Sequence, residues 1–241
     1  MTSVLLSEMT WKEAEQRIKD AKAVILPLGS TEQHGYHMTL NIDSLVAEYI
    51  SKEIAKRTNS LVLPPLNYGQ VRSAKDFPAT ISIGEKNYIS FIKDIVKSLE
   101  NNFAKNIILF SGHWGNVAPI KIAVRELKDE MGFSNVYYLS YMNLKKYSEG
   151  LMESELWNGS GFHSGEIETS IALYVCPKNV NMEQAVCEYP IVPPDIDNRP
   201  IPWRDFAVSG VFGDATKATV EKGEQFIEKW INDMVQMINN L

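Results

Sequence analysis

The sequence predicts an α/β fold, a mainly parallel sheet with helices on both faces. Two observations predict it. Short apolar runs alternate with amphipathic helical segments along most of the chain, and the polar, glycine-rich clusters fall where the apolar runs end. In open parallel sheets, ligands bind beyond the carboxyl ends of the strands.

The elements follow in order. Thr10 reads as the N-cap of a helix over residues 11–21. The run Val24, Ile25, Leu26, Pro27, Leu28, Gly29 reads as a buried strand. A helix over residues 44–56 and a strand near Leu61, Val62 and Leu63 come next. Tyr88, Phe91, Ile92, Ile95, Leu99 and Phe103 recur at helical spacing, which gives a helix over residues 85–103. Residues 106–110 form an apolar strand. Ile120, Ala123, Val124 and Leu127 mark one face of the following helix, and residues 136–141 another strand. Phe226, Ile227, Trp230, Ile231, Met234 and Val235 belong to a C-terminal amphipathic helix. Residues 187–205 carry five prolines (Pro190, Pro193, Pro194, Pro200, Pro202) and read as an ordered surface excursion. No boundary divides the chain, so residues 1–241 are expected to form a single domain.

Composition narrows the class. The 241 residues are 44% hydrophobic and 22% charged, enough for a large core without disulfides. Twenty-four basic against thirty acidic side chains give a net charge of −6, with no Lys/Arg run to suggest a nucleic-acid face. No window approaches the ~18 apolar residues that span a bilayer. The opening residues turn acidic and helical too early for a signal peptide, so neither secretion nor membrane anchoring is expected. Cys176 and Cys187 follow neither metal-ligand nor redox spacing and fit free thiols in a reducing cytoplasm.

Chemistry-bearing residues collect in three stretches. His34 and His37 lie in the segment from Gly29 to His37, after the first strand; His113 lies in Ser111, Gly112, His113, Trp114, Gly115, Asn116, after the strand over 106–110. His163 precedes a helix that carries Glu166 and Glu168. These are all four histidines of the chain, each in a glycine-flanked segment. Glu32, two residues before His34, shares its face on an extended backbone, and Asp43 stands where a helix begins. Imidazoles and carboxylates converging from separate loops suit a divalent cation. Three carboxylates would leave one dication at −1 and two dications at +1, a charge that a bridging hydroxide neutralises. Spacing alone leaves a hydrogen-bonded, metal-free cluster open as the alternative.

At these residues the chain resembles the creatininase family of amidohydrolases. The segment Pro27 to Gly35, with Asp43 downstream, is similar to the family's opening motif, and residues 111–116 to its Asn-Gly-His-Gly-Gly-Asn motif. The segment His163 to Ser170 resembles its His-Ala-Gly-Glu-x-Glu-Thr-Ser motif; residues 76–82 and 210–214 resemble two further blocks. The resemblance implies a three-layer α/β/α sandwich, a homo-oligomer with a hexamer favoured, and two divalent cations per subunit, zinc first, with manganese or iron as alternatives. It implies that Glu32, Asp43 and His113 bind one cation, and that His34, Asp43 and Glu168 bind the other. His163 would be the catalytic proton carrier. Glu166, His37, Trp114, Ser111, Asn116 and Trp157 would support the ligands or line the pocket. At Gly115 the creatinine-hydrolysing members carry a catalytic glutamate, so creatinine is not expected as substrate.

The implied activity is hydrolysis of a non-peptide C–N bond in a cyclic amide or N-formyl compound, by a hydroxide bridging two divalent metals. A formamidopyrimidine nucleotide ranks first among named small-molecule substrates. Arg72, Lys75 and Arg204 are the candidates to meet its phosphate. Creatinine or keto-inositol ring opening and peptide trimming are the family's other branches. A mononuclear non-haem iron oxygenase and a non-catalytic binding protein are the rivals from other classes. No Gly-x-Ser-x-Gly elbow supports a serine hydrolase. Residues 151–162, with Trp157, lead into His163 and read as either a lid or a fixed loop.

Overall fold

A capped helix feeds the first strand into the interior. Thr10 opens α1 (Trp11–Asp20) through a capping box, its hydroxyl accepting from Glu13 N while the Glu13 carboxylate accepts from Thr10 N at 2.8 Å. β1 (Val24–Leu28) follows with every residue buried. Next come α2 (Ile42–Thr58), β2 (Leu61–Val62), α3 (Glu85–Glu100), β3 (Ile107–Ser111), α4 (Val117–Met131), β4 (Val136–Leu139) and α5 (Leu144–Ser148). After these stand α6 (Glu166–Val175), β5 (Cys187–Glu188), β6 (Gly213–Asp214) and α7 (Val220–Asn239). This computed structural model describes residues 3–102, 104–140, 144–155, 163–196 and 198–241.

The main sheet is parallel, in the order β2-β1-β3-β4. Alternation along the strands divides the core in two. Ile25, Ile108 and Phe110 pack on one side with Val46, Ile50 and Ile54 of α2, Ile167 and Ile171 of α6, and Phe226, Trp230 and Ile231 of α7. Val24, Leu26, Leu28, Ile107 and Leu109 pack on the other with Ile18 of α1, Ile92 and Val96 of α3, and Ile120 and Leu127 of α4. The result is the expected three-layer α/β/α sandwich. Pro27 is tolerated in a central strand because its carbonyl accepts from Leu66 N. Its missing N–H therefore faces the same side, where regular pairing with β2 has already stopped at Val62.

The strand order sets the site. β1 leads into α2 on one face and β3 into α4 on the other, while Leu28 and Ser111 stand in register at the ends of their strands. The chain therefore diverges between β1 and β3, which opens a crevice at the carboxyl edge of the sheet.

Several boundaries differ from the sequence reading by one to three residues. The helix expected to reach residue 103 stops at Glu100, because the Asn102 side chain donates to Ser98 O at 2.6 Å and caps the last turn. The second helix starts two residues early, so Asp43 lies inside its first turn. β4 ends at Leu139, and residue 141 lies outside the described residues. Of the proline-rich excursion, Cys187 and Glu188 pair antiparallel with β6. Cys176 and Cys187 are free thiols. Among the described residues no helix is long and apolar enough to cross a membrane.

α7 lies so close to α6 that a Cβ on Gly223 would stand 2.0 Å from Ser170 O. Gly223→Ala is expected to destabilise the fold by about 2 kcal/mol through overpacking. Thermal unfolding would show this as a Tm lowered by roughly 4–8 °C, with metal content unchanged.

Candidate metal centre

The loop after β1, the first turn of α2, the end of β3 and the start of α6 converge on one buried cluster. Glu32, His34, Asp43, His113 and Glu168 are each no more than 6% exposed. His113 Nδ1 lies 3.0 Å from both Glu32 Oε2 and Asp43 Oδ2. His34 Nε2 lies 3.3 Å from Asp43 Oδ1 and 3.7 Å from Glu168 Oε1. Donor atoms of Glu32, Asp43 and His113 fall within 4.8 Å of one another, as do those of His34, Asp43 and Glu168. The two sets share Asp43, which offers one oxygen to each side. His163 joins Glu32 and His34 in a third set of the same dimensions.

Neighbouring groups fix which nitrogen each ring presents. His34 Nδ1 donates to Glu32 O at 3.0 Å, leaving Nε2 buried with no hydrogen-bond partner. His113 Nε2 donates to Gln70 O at 3.0 Å, leaving Nδ1 to face the carboxylates. Ser30 Oγ donates to Asp43 Oδ2 at 2.6 Å, and Ser164 N to Glu168 Oε2 at 2.6 Å. Such outer contacts orient metal ligands. A buried, partnerless imidazole nitrogen facing two carboxylates is what a cation would satisfy, so the residues present fit divalent metal.

The electrostatics agree. Burial disfavours charge on His34 and His113, yet Asp43 and Glu168 beside the first, and Glu32 and Asp43 beside the second, outweigh it and hold both pKa values well above the ordinary range. Burial likewise works to raise the carboxyls of Asp43 and Glu32, but the neighbouring histidines win and hold both below the usual range. Both imidazoles thus hold protons more firmly than a free histidine, and a dication competes with those protons. Metal binding at pH 7 is expected to release protons and to weaken as pH falls. Calorimetry in buffers of different ionisation enthalpy checks this.

Supporting residues surround the cluster. Asn116 is buried, donating to Gly29 O and accepting from Gln70 N, each at 2.9 Å, so it fixes the segment whose carbonyl holds His113. Asn116→Ala is expected to weaken metal affinity about 10–100-fold, measured by chelator competition. Ser111 Oγ donates to His113 O at 2.8 Å and shapes the turn. Glu166 takes no part in the cluster: its buried carboxylate accepts from Glu153 N, Ser154 N and Lys222 Nζ. His37 is buried, its Nε2 2.9 Å from Thr169 Oγ1, and burial and then the nearby His34 push its pKa down to about 4. Trp114 is largely exposed. Trp157 and residues 156–162 lie outside the described residues. Leu151 and Met152 pack on the core.

The sequence reading missed four participants. Gln33 sends its side chain to His163 and Gly210 O, its amide oxygen accepting from Gly35 N at 2.9 Å. Ser30 supports Asp43, and Gln70 acts through its carbonyl. Trp203 packs against His163 with ring centroids 5.0 Å apart. Gln33 and Ser30 sit within the first motif, which was the available signal; Gln70 and Trp203 had none.

A profile of the family described as "Creatininase: Creatinine amidohydrolase" matches residues 7–238. The chain belongs to the creatininase family. With that membership it is an enzyme, a metal-dependent amidohydrolase. It is similar to a creatinine amidohydrolase of Pseudomonas putida, 32% identical over 98% of this chain and 96% of that one. It is also similar to a mycofactocin precursor peptide peptidase of Mycolicibacterium smegmatis (27%; 89% and 83% covered) and to a 3-dehydro-scyllo-inosose hydrolase of Thermotoga maritima (24%; 100% and 84%). A crystal structure of creatinine amidohydrolase matches with TM-score 0.88 at 30% identity, covering 100% of this chain and 98% of that one. Solved creatininases of similar likeness include a variant of Zn–Zn type (TM-score 0.85, 30% identity, 100% and 98% covered) and a Mn form (0.84, 30%, 99% and 98%).

One feature of this creatininase-family chain is steric. A Cβ on Gly115 would lie 2.2 Å from Gln70 O and 2.4 Å from His113 Nε2. The carbonyl that orients His113 thus occupies the space a side chain at residue 115 would need. A cleft of about 1030 Å³ runs from Gln70 to Trp203, between residues 70–85 and the proline-rich excursion. Arg72 and Lys75 line it, with Arg72 paired to Glu85 at 2.5 Å. Arg204 instead donates to Asp76 O at 2.8 Å.

Proposed function

We propose that the chain hydrolyses a non-peptide carbon–nitrogen bond of a small cyclic amide or N-formyl compound at a pair of divalent cations. The observation that carries this reading is the pair of buried donor sets sharing Asp43. In it, Glu32, Asp43 and His113 would hold one cation and His34, Asp43 and Glu168 the other. Mixed imidazole and carboxylate donors suit zinc or manganese; zinc ranks first and iron remains the alternative. A mononuclear oxygenase would need one set, and the second set favours a pair.

Divalent cations held in these sites would supply Lewis acidity, lowering the pKa of water and polarising an amide carbonyl. The chain's residues do the rest. His163 stands beside the cluster, its Nδ1 3.8 Å from Glu168 Oε2. Its Nε2 has the Gln33 carbonyl oxygen and the Gln33 amide nitrogen each at 2.9 Å, an acceptor and a donor, so the ring keeps a partner in either tautomer. With Nε2–H on the carbonyl, Nδ1 takes the proton of the attacking water and returns it to the departing nitrogen, acting first as general base and then as general acid. Trp203 covers the ring and keeps bulk water from that side.

The substrate is read from the same features. Gly115 argues against creatinine, because the chain has neither the carboxylate nor the room for one. The relatives named above act on creatinine, a precursor peptide and an inosose, and none is a deformylase. A formamidopyrimidine nucleotide therefore loses first rank to cyclic amides, with Lys75 and Arg72 in the cleft its remaining support.

The test compares the zinc-loaded chain with the chelator-stripped chain on creatinine, a lactam, a cyclic imide, an N-formyl amino acid, a short peptide and a keto-inositol. Turnover is expected on an amide of the cyclic or formyl kind, lost on stripping and restored by zinc. Creatinine should be poorer by roughly 100-fold, the effect of one missing acid–base group. Fastest turnover on the peptide, or turnover that survives stripping, would contradict the reading.

A further inference from the structure

Ser164 stands between His163 and Gly165 with φ +58, a left-handed conformation uncommon for a residue with a side chain. That conformation aims its N–H at Glu168 Oε2. Its carbonyl accepts from Thr169 Oγ1 at 3.2 Å, and the Thr169 oxygen lies 2.9 Å from His37 Nε2. All four side chains, His37, Ser164, Glu168 and Thr169, are buried.

The direction of the hydrogen bonds follows from counting donors. A threonine hydroxyl has one proton, and at Thr169 it goes to Ser164 O. His37 must then donate from Nε2, which leaves Nδ1 without a proton. Nδ1 is buried and has no partner. An unpaired N–H there would carry the cost of a buried, unsatisfied donor, so the partnerless atom is the bare nitrogen. The relay thus reads His37 Nε2–H to Thr169 Oγ1–H to Ser164 O, and from the same serine, N–H to Glu168. It ties the loop that carries Glu32 and His34 to the turn that carries His163 and Glu168. The backbone of His37 is fixed independently, since its carbonyl accepts from Asn181 N at 2.7 Å.

We infer that His37 and Thr169 are positioning residues, a two-step hydrogen-bond relay that holds Ser164 left-handed and so aims the Glu168 carboxylate at the cation shared by His34 and Asp43. The inference rests on the proposed two-cation reading for its functional consequence, and on His37, Thr169 and Ser164 alone for its structure. Without the Thr169 hydroxyl, Ser164 O loses its acceptor role, the turn relaxes toward ordinary backbone, and Glu168 swings away from the second donor set.

The experiment uses the full chain with Thr169→Val, Thr169→Ser and His37→Gln. Zinc affinity is measured by competition with a chromophoric chelator, the ring state of His37 by nitrogen-15 NMR, and kcat and KM on whichever amide the wild-type chain turns over. Thr169→Val is expected to bind one of the two zinc ions about 10–100-fold more weakly, with kcat falling in step and KM within about 2-fold. Thr169→Ser should restore both, because it keeps the hydroxyl. His37→Gln, whose amide N–H can reach the same oxygen, should lie between. NMR should show His37 protonated at Nε2 alone. Undiminished affinity for both ions in folded Thr169→Val, or Thr169→Ser as impaired as Thr169→Val, would overturn the inference. So would a proton on Nδ1. Wild-type chain that binds no zinc would instead count against the two-cation reading, while the NMR state of His37 would still decide the relay.

Discussion

Asp43→Asn is expected to lower turnover by at least about 10³-fold, a loss of about 4 kcal/mol of transition-state stabilisation, and to leave the chain unable to retain either cation through dialysis. No other residue stands in both donor sets. Oδ2 faces His113 Nδ1 at 3.0 Å and Oδ1 faces His34 Nε2 at 3.3 Å. Losing its charge leaves Glu32 and Glu168 alone against two dications, a net of +2. The amide also puts an NH₂ group, two donors, where only acceptors are useful. Metal analysis after dialysis, with a steady-state assay, checks both parts. Acid stability moves too. The folded-state pKa of Asp43 lies below the unfolded value near 3.9, so the stabilisation it gives the metal-free chain is present above about pH 4 and is lost as pH falls further. Asn at residue 43 should flatten that acid limb.

His163→Ala should show the opposite separation. Turnover is expected to fall by roughly 10²–10⁴-fold, the range for a positioned acid–base group, while the chain keeps its cations. His163 lies in the third donor set, yet the two sets that share Asp43 are complete without it. The ring is partnered by Gln33 and Trp203 rather than held only by carboxylates. A variant that turns over at the wild-type rate would remove His163 from the mechanism. A variant that loses one cation in step with activity would make it a ligand.

The two variants mark what the sequence made legible. Glu32, His34 and His113 stand out because glycines flank them at the ends of apolar runs, and His163 because glycines flank it ahead of a helix; the parallel order of β1 and β3 carries the ends of those two runs to one crevice. Alternation along Val24–Leu28 and Ile107–Ser111 sorted the side chains into two faces, which is why the layer architecture was readable. Asp43 was readable as the start of a helix, although the helix begins at Ile42. What escaped were contacts made by backbone or across distance. The carbonyl of Gln70 holds His113 and carries no mark in its residue type. Gln33 meets His163 across 130 positions, and nothing local to either predicts the pairing. Trp203 reaches the site because the proline-rich excursion is pinned, its N–H donating to Ser73 O at 2.8 Å. At Gly115 the sequence shows a missing carboxylate, and the structure adds that neighbouring backbone fills its place.

Anomalous diffraction at the zinc edge from crystals of the zinc-loaded chain tests the shared-aspartate centre most directly. Two peaks are expected roughly 3.5–4 Å apart, one about 2.0–2.2 Å from donors of Glu32, Asp43 and His113 and the other at that distance from donors of His34, Asp43 and Glu168. A single peak, or two peaks with Asp43 bound to only one of them, would contradict the account.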